Sequence, residues 1–179
     1  VTGVQTCALP IFSGQIFNVK TPVVVVTGTD CAVGKRTTAR ILVEELNKKG
    51  VNAVFVTTGQ TGLLQGAKYG MALDVLSSGF ATGEVEKGVV DASEIEHPDI
   101  IIVEGQGALS HPAFTSSSAI IRGAMPNALI IQHPPKRKNL CDYPAIPMPT
   151  LKSEIELNEV FARSKVIAIT IKKDGMTND

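Results

Sequence analysis

Apolar positions along this chain fall into two alternating patterns. Val23–Thr27, Ala53–Thr57, Ile100–Glu104, Ala128–Gln132 and Val166–Ile171 are short, nearly unbroken apolar runs rich in β-branched residues. Such runs read as strands buried on both faces, as in a parallel sheet. Between them, Ala39–Lys49, Gly83–Glu96, Ser117–Gly123 and Lys152–Ala162 place apolar residues at helical spacing. Gly50 is a fitting stop for the first helix and Pro98 for the second. The alternation predicts an α/β domain with a mostly parallel sheet and helices on both faces. The connections at 59–62, 105–112 and 133–149 are unusually polar or rich in Gly and Pro. All three follow C-terminal ends of strands, where open α/β sheets bind ligands.

The first strand runs into Gly28-Thr29-Asp30-Cys31-Ala32-Val33-Gly34-Lys35-Arg36-Thr37-Thr38 and then into a helix. Strand, glycine-bounded loop, lysine, hydroxyl and helix together make a phosphate-binding arrangement, in which backbone N–H groups and a helix N-terminus face an anion. The fold expected is therefore P-loop NTPase-like, with Gly28, Thr29 and Cys31 through Thr38 holding the phosphorylated ligand. The loop departs from G-x-x-x-x-G-K-[ST] at two points. Its first glycine, Gly28, lies one position early, so that Thr29 takes its place, and Arg36 stands where a hydroxyl would ligate Mg²⁺. Thr37 or Thr38 is a possible substitute, but Lys35 and Arg36 suit a pyrophosphate held without metal.

Ile100-Ile101-Ile102-Val103-Glu104-Gly105-Gln106-Gly107 supplies the second half of the site. A strand ending in a carboxylate presents an acid beside bound phosphates, and the glycines let the backbone approach a ligand. This sharing requires the strands starting at Val23 and ending at Glu104 to be neighbours. Asp30, inside the loop, would repel an anion unless it pairs with a cation, caps a turn or acts chemically. Cys31 reads either as an activated thiol or as a small residue fitting a tight loop. His111 and His133 read as a base or as hydrogen-bonded loop residues. His97 has no assigned role, and the Cys and His spacing gives no metal site.

The charges balance at zero and the only basic cluster is Lys136-Arg137-Lys138, so neither nucleic acid nor a membrane is an expected partner. No apolar run reaches spanning length. Cys31 and Cys141 form no disulfide framework and suit a reducing cytoplasm. Residues 1–11 match a translation of a common short-read sequencing adapter, which places the start of genuine sequence near Phe12 or Ser13.

At these motifs the chain resembles known enzymes. Gly28-Thr29-Asp30 leading to Val33-Gly34-Lys35, with Glu104-Gly105 and Gly107 later, is similar to dethiobiotin synthetase and the cobyrinate amidation enzymes, which are ATP-dependent. From about Asn18 to Asn178 the chain more closely resembles the C-terminal domain of the D-glutamate N-acetyltransferase-like family. That likeness rests on the loop at 28–38, on Thr58-Gly59-Gln60-Thr61-Gly62, on Val103 through Gly107 running to His111-Pro112, on Gln132-His133, and on Pro147 through Leu151. Lys172-Lys173-Asp174 departs from it, since a more Asn/His-like stretch is expected there.

The resemblance implies a preceding Rossmann-like domain, with 12–22 as linker and 23–179 as the P-loop domain, so that this fragment alone would be inactive. It implies acetyl transfer from acetyl-CoA to the amine of D-glutamate, in D-amino-acid catabolism, by a cytoplasmic homo-oligomer acting on a small molecule. Glu104, His111 and Asp30 are then the catalytic candidates, with Glu104 or His111 as base. Gly105, Gln106 and Gly107 offer oxyanion donors, and Gln60, Thr61 and His133 are candidates for substrate contact. Two other classes stay open: an ATP/Mg-dependent ligase or kinase, and a non-catalytic nucleotide-binding module.

Overall fold

The computed structural model describes residues 10–173. Its strands are β1 (Val23–Gly28), β2 (Ala53–Thr57), β3 (Tyr69–Gly70), β4 (Ile100–Glu104), β5 (Ala128–His133) and β6 (Lys165–Ile171). They form one sheet in the order β3-β2-β4-β1-β5-β6, and every pairing is parallel. β1 lies between β4 and β5, with Val26 opposite Glu104 and Gly28 opposite Gln132. The required adjacency of the first and fourth strands is met.

The helices are α1 (Lys35–Lys48), α2 (Gln60–Leu64), α3 (Ser78–Glu96), α4 (Ser116–Ala124) and α5 (Leu151–Ala162). Strand side chains alternate between faces, so the valines of β1 serve two cores. Val24 and Val26 join Ile102, Ile130 and Ala39 of α1 on one face. Val23 and Val25 join Ile101, Leu129, Val85 and Val89 of α3 and Ile120 of α4 on the other. Each such side chain contributes about 1.5–3 kcal/mol on leaving water, which explains why the run admits no polar residue before Thr27.

The differences from the sequence reading have local causes. α1 begins at Lys35 rather than Ala39 because Gly34, at φ 103°, turns the chain directly into the helix. No apolar period marks that polar first turn. α3 begins at Ser78 rather than Gly83, across a stretch where Gly79 weakens the helical signal. α2 and β3 are too short for periodicity to reveal.

The segment read as a linker is docked on α3. Gln15–Asn18 form a 3₁₀ turn with Ile16 buried. The buried Glu86 carboxylate accepts from Ser13 N (2.6 Å), Ser13 Oγ (3.2 Å) and Ile16 N (3.2 Å). Of the residues read as adapter, 1–9 lie outside the described residues. The backbone of Pro10 and Ile11 passes close to Gly83, where a Cβ would lie 2.1 Å from the Pro10 carbonyl oxygen.

Replacing Glu86 with Ala leaves the Ser13 and Ile16 amides without their acceptor. The expected loss is about 1–3 kcal/mol, read as a lower denaturant midpoint, with protease cutting first between residues 12 and 22. An unchanged midpoint and unchanged cutting would show that the segment is not held through Glu86.

Candidate functional site

The C-terminal end of β1 delivers a closed loop. Thr29 N donates to Gln132 O (3.1 Å), fixing the loop's start to β5. Ala32 and Gly34 both have positive φ, 51° and 103°, and α1 begins immediately afterwards. Lys35 is buried, with Nζ donating to the Asp30 carbonyl (2.6 Å). Burial pushes its ammonium from 10.5 down to about 8, against the pull of Cys31, Asp30 and Glu104.

Glu104 is also buried. Its Oε2 accepts from Thr57 Oγ1 (2.5 Å) and more distantly from Thr58 N (3.4 Å). Desolvation raises its carboxyl, while the hydroxyl and amide donors and the cations of Arg36 and Lys35 oppose the rise. Next to it the chain must cross β1 closely: a Cβ on Gly105 would sit 2.3 Å from Val26 O. Gln106 donates through Nε2 to Thr58 O, and Ser117 Oγ donates to Gln106 O, so the turn after β4 is tied to β2 and α4.

These elements enclose an open cavity of about 740 Å³. Cys31 through Thr37 form one wall, Gly59, Gln60 and Thr61 another, and Glu104 through Gly107 a third. Asp74, Phe114, Ser116 and Lys172 complete it and were not foreseen from the sequence. The predicted residues Gly28, Thr29, Asp30, Thr38, His111 and His133 do not line it. Thr38 Oγ1 instead donates to Gln132 Oε1 (2.6 Å), as does Thr170 Oγ1 (2.6 Å). His133 sits behind the loop, with Nδ1 2.9 Å from Thr29 Oγ1, and burial lowers its pKa.

Asp30 and His111 meet beneath the loop. Asp30 Oδ2 accepts from Arg137 Nη1 (2.7 Å) and Cys141 N (2.8 Å), so of the readings open for it the structure supports pairing with a cation. Its Oδ1 lies 4.0 Å from His111 Nε2, and neither buried atom has a hydrogen-bond partner. His111 Nδ1 accepts from Ala113 N (3.2 Å), which leaves the proton of the neutral ring on Nε2, facing Asp30. Asp30, Cys31 and His111 bring three potential ligand atoms within 4.8 Å of one another. With an N–H rather than a lone pair aimed inward, the grouping reads as two facing polar groups, too far apart to hydrogen-bond, beside a thiol. Burial pushes that thiol up to about 11, with Lys35 opposing the rise, so Cys31 packs as a neutral small residue and not as an activated nucleophile.

A family described as a domain of unknown function (DUF1611_C), P-loop domain, matches residues 10–179. The chain belongs to the DUF1611 family. A curated relative from Pseudoalteromonas, named D-glutamate N-acetyltransferase, is 38% identical over 137 residues, covering 76% of this chain and 40% of the relative. A second of the same name, from Tritonibacter scottomollicae, is 37% identical over 134 residues, covering 74% and 38%. The chain thus spans about two fifths of the length of the curated relatives it matches. The crystal structure of a DUF1611 family protein from Anabaena variabilis superposes with a TM-score of 0.89 at 30% identity, covering 97% of this chain and 52% of that one.

Sequence reasoning about this DUF1611 domain missed Thr57, Gln132 and Arg137 as parts of the site. Thr57 is signalled only by being a hydroxyl at a strand end, and Arg137 only by lying in the basic cluster. Among the described residues, no helix is long and apolar enough to cross a membrane.

Lys35 makes anion binding pH-dependent. A bound phosphate favours the ammonium and raises its pKa, so complexation takes up a proton once the free protein has lost it. Affinity for ADP, fully ionised in this range, should be flat below pH 8 and fall above it, approaching tenfold per pH unit. Calorimetry in two buffers of different ionisation heat should register the uptake. The same shift acts on stability with a defined sign. Between pH 8 and 10.5 the unfolded chain binds more protons at Lys35, so this group's contribution to stability rises with pH across that window. A flat affinity from pH 7 to 10 would rule out Lys35 as the anion's partner.

Proposed function

We propose that this domain is the acyl-donor-binding part of an N-acetyltransferase acting on the amine of D-glutamate, and that its loop holds the phosphates of acetyl-CoA without a metal ion. The observation that carries the metal-free reading is the pair of cations at the end of the loop. Arg36 occupies the position of the usual Mg²⁺ ligand beside Lys35, and of the two threonines that follow, Thr38 Oγ1 is turned to Gln132 while Thr37 lines the cavity. Lys35, Arg36 and the loop amides remain, a donor set suited to a pyrophosphate. The names of the curated relatives support the acetyl-transfer part of the reading.

When bound, acetyl-CoA supplies a thioester that an amine converts to an amide, releasing the thiol. The acceptor must first lose an ammonium proton. Glu104 faces the cavity and its carboxyl is raised by desolvation, both of which suit a general base. Thr57 fixes its Oε2, which orients the carboxylate. Of the expected oxyanion donors, the Gly105 N–H is given to Val26 O (3.0 Å), which leaves the N–H groups of Gln106 and Gly107 as the candidates. His111 lies outside the cavity lining with Nδ1 accepting from Ala113 N, so service as a base would require its ring to move and exchange partners. Gln60 and Thr61 line the same cavity and are available to the acceptor.

The ATP-dependent alternative is favoured by one observation, the acid Glu104 beside a P-loop lysine. Its magnesium site would have to use Thr37, which lines the cavity, because Arg36 takes the place of the usual hydroxyl.

Calorimetry on the purified chain with acetyl-CoA and with ATP, each with and without EDTA, separates the readings. Acetyl-CoA binding should persist in EDTA and weaken by about 1–3 kcal/mol on Lys35→Ala or Arg36→Ala. Metal-dependent ATP binding, strengthened by Arg36→Thr and without any acetyl-CoA signal, would overturn the assignment.

A further inference from the structure

Arg137 lies outside the cavity lining, yet it touches the phosphate loop at more points than any other side chain in the structure's hydrogen bonds. It comes from the connection after β5, within the basic cluster that the function left unused. Nη1 donates to Asp30 Oδ2 (2.7 Å) and to the Cys31 carbonyl (2.8 Å), and Nη2 reaches the Ala32 carbonyl (3.5 Å). Its side chain is only 19% exposed. Lys172 Nζ, from the end of β6, donates to the same Ala32 carbonyl (3.0 Å).

A loop that aims its amides at an anion must aim the intervening carbonyls elsewhere. Those oxygens repel one another and the ligand, and a peptide flip would turn one of them inward. Ala32 adds to the difficulty, because its φ of 51° is costly for a residue with a Cβ. Such a conformation persists where surroundings over-determine it. The guanidinium fork does this here by holding two successive carbonyls from behind, while the fully buried Asp30 carboxylate holds the fork. A planar group with several fixed donors can bridge three acceptors in this way, and a single ammonium cannot.

We propose that Arg137 is a positioning residue for anion binding: it pre-shapes the 29–34 loop from outside without touching the ligand, with Asp30 orienting it. The proposal rests on the loop being an anion site, but not on the anion being acetyl-CoA.

The test is titration of the chain with inorganic pyrophosphate in EDTA, at several salt concentrations, for wild type, Arg137→Ala, Arg137→Lys and Asp30→Asn. Melting temperatures identify any variant that fails to fold. Both Arg137 variants should bind about tenfold or more weakly, since an unshaped loop must be ordered at the moment of binding. Asp30→Asn, which removes the anchor while keeping the volume, should also bind more weakly. The dependence of log affinity on log salt should keep its wild-type slope in Arg137→Ala, because the same cations touch the anion. A shallower slope in Arg137→Ala would make Arg137 a direct contact and overturn the positioning role. So would wild-type affinity in Arg137→Lys, which would show that charge alone suffices. If Arg137→Ala does not fold, wild-type affinity in Asp30→Asn would overturn the proposal by itself. Absence of pyrophosphate binding to the wild type would remove the anion site and this inference with it. Pyrophosphate binding without acetyl-CoA binding would leave the inference standing and overturn the acetyl-donor reading instead.

Discussion

The site depends on the parallel register of β1 between β4 and β5. Because Val26 pairs with Glu104 and Gly28 with Gln132, β4 and β5 end within two residues of the end of β1. A loop leaving β1 then has an acid on one side and an amide on the other without any special long-range design. A one-residue slip of β4 would turn Glu104 to the opposite face of the sheet. The apolar alternation of β4, with Ile101 and Ile102 in different cores, prevents that slip. Hydrophobic pattern and the geometry of the candidate site are therefore one constraint expressed twice.

The second constraint is electrostatic. Lys35, Glu104 and Asp30 are all buried within one small region, where unpaired charge is expensive. The two carboxylates are handled differently. Asp30 receives a guanidinium and a backbone amide on one oxygen, so it belongs to the scaffold of the loop. Glu104 receives a hydroxyl and a distant amide, and among the described residues no cation is hydrogen-bonded to it. Burial raises its carboxyl, with the more distant charges of Arg36 and Lys35 opposing the rise. One acid is thus closed off by an ion pair, and its neighbour on the cavity wall is not.

Much of the fold was legible because the features that fix it are local and repeated. Val23 to Val26 read as a strand buried on both sides, and Gly34-Lys35 after it as the turn into a helix, and both are found. Glu104 was readable for the same reason, as a charge ending an apolar run. What stayed hidden depends on residues distant in the chain. Arg137 sits in a basic cluster that reads as solvated, yet it is folded back over one hundred positions onto Asp30. Thr57 becomes a site residue only because β2 and β4 are neighbours, an order that sequence does not state. His111 shows the opposite case. Its place after the fourth strand left it open as a base or a hydrogen-bonded loop residue, and the amide of Ala113, two positions on, occupies its Nδ1 lone pair.

Gln132 shows how the loop's chemistry and the sheet's closure are linked. Its side-chain oxygen accepts from Thr38 on α1 and Thr170 on β6, while its carbonyl accepts from Thr29 N. That shared acceptor fastens helix, loop and outer strand together. Thr38 Oγ1 is thereby held toward β5 and does not line the cavity, whereas Thr37 does. β6 in turn carries Lys172 to the Ala32 carbonyl, so the amide that anchors α1 also anchors the strand that reaches back to the loop. The shape of the loop is therefore set by side chains of β5 and β6 as much as by its own glycines.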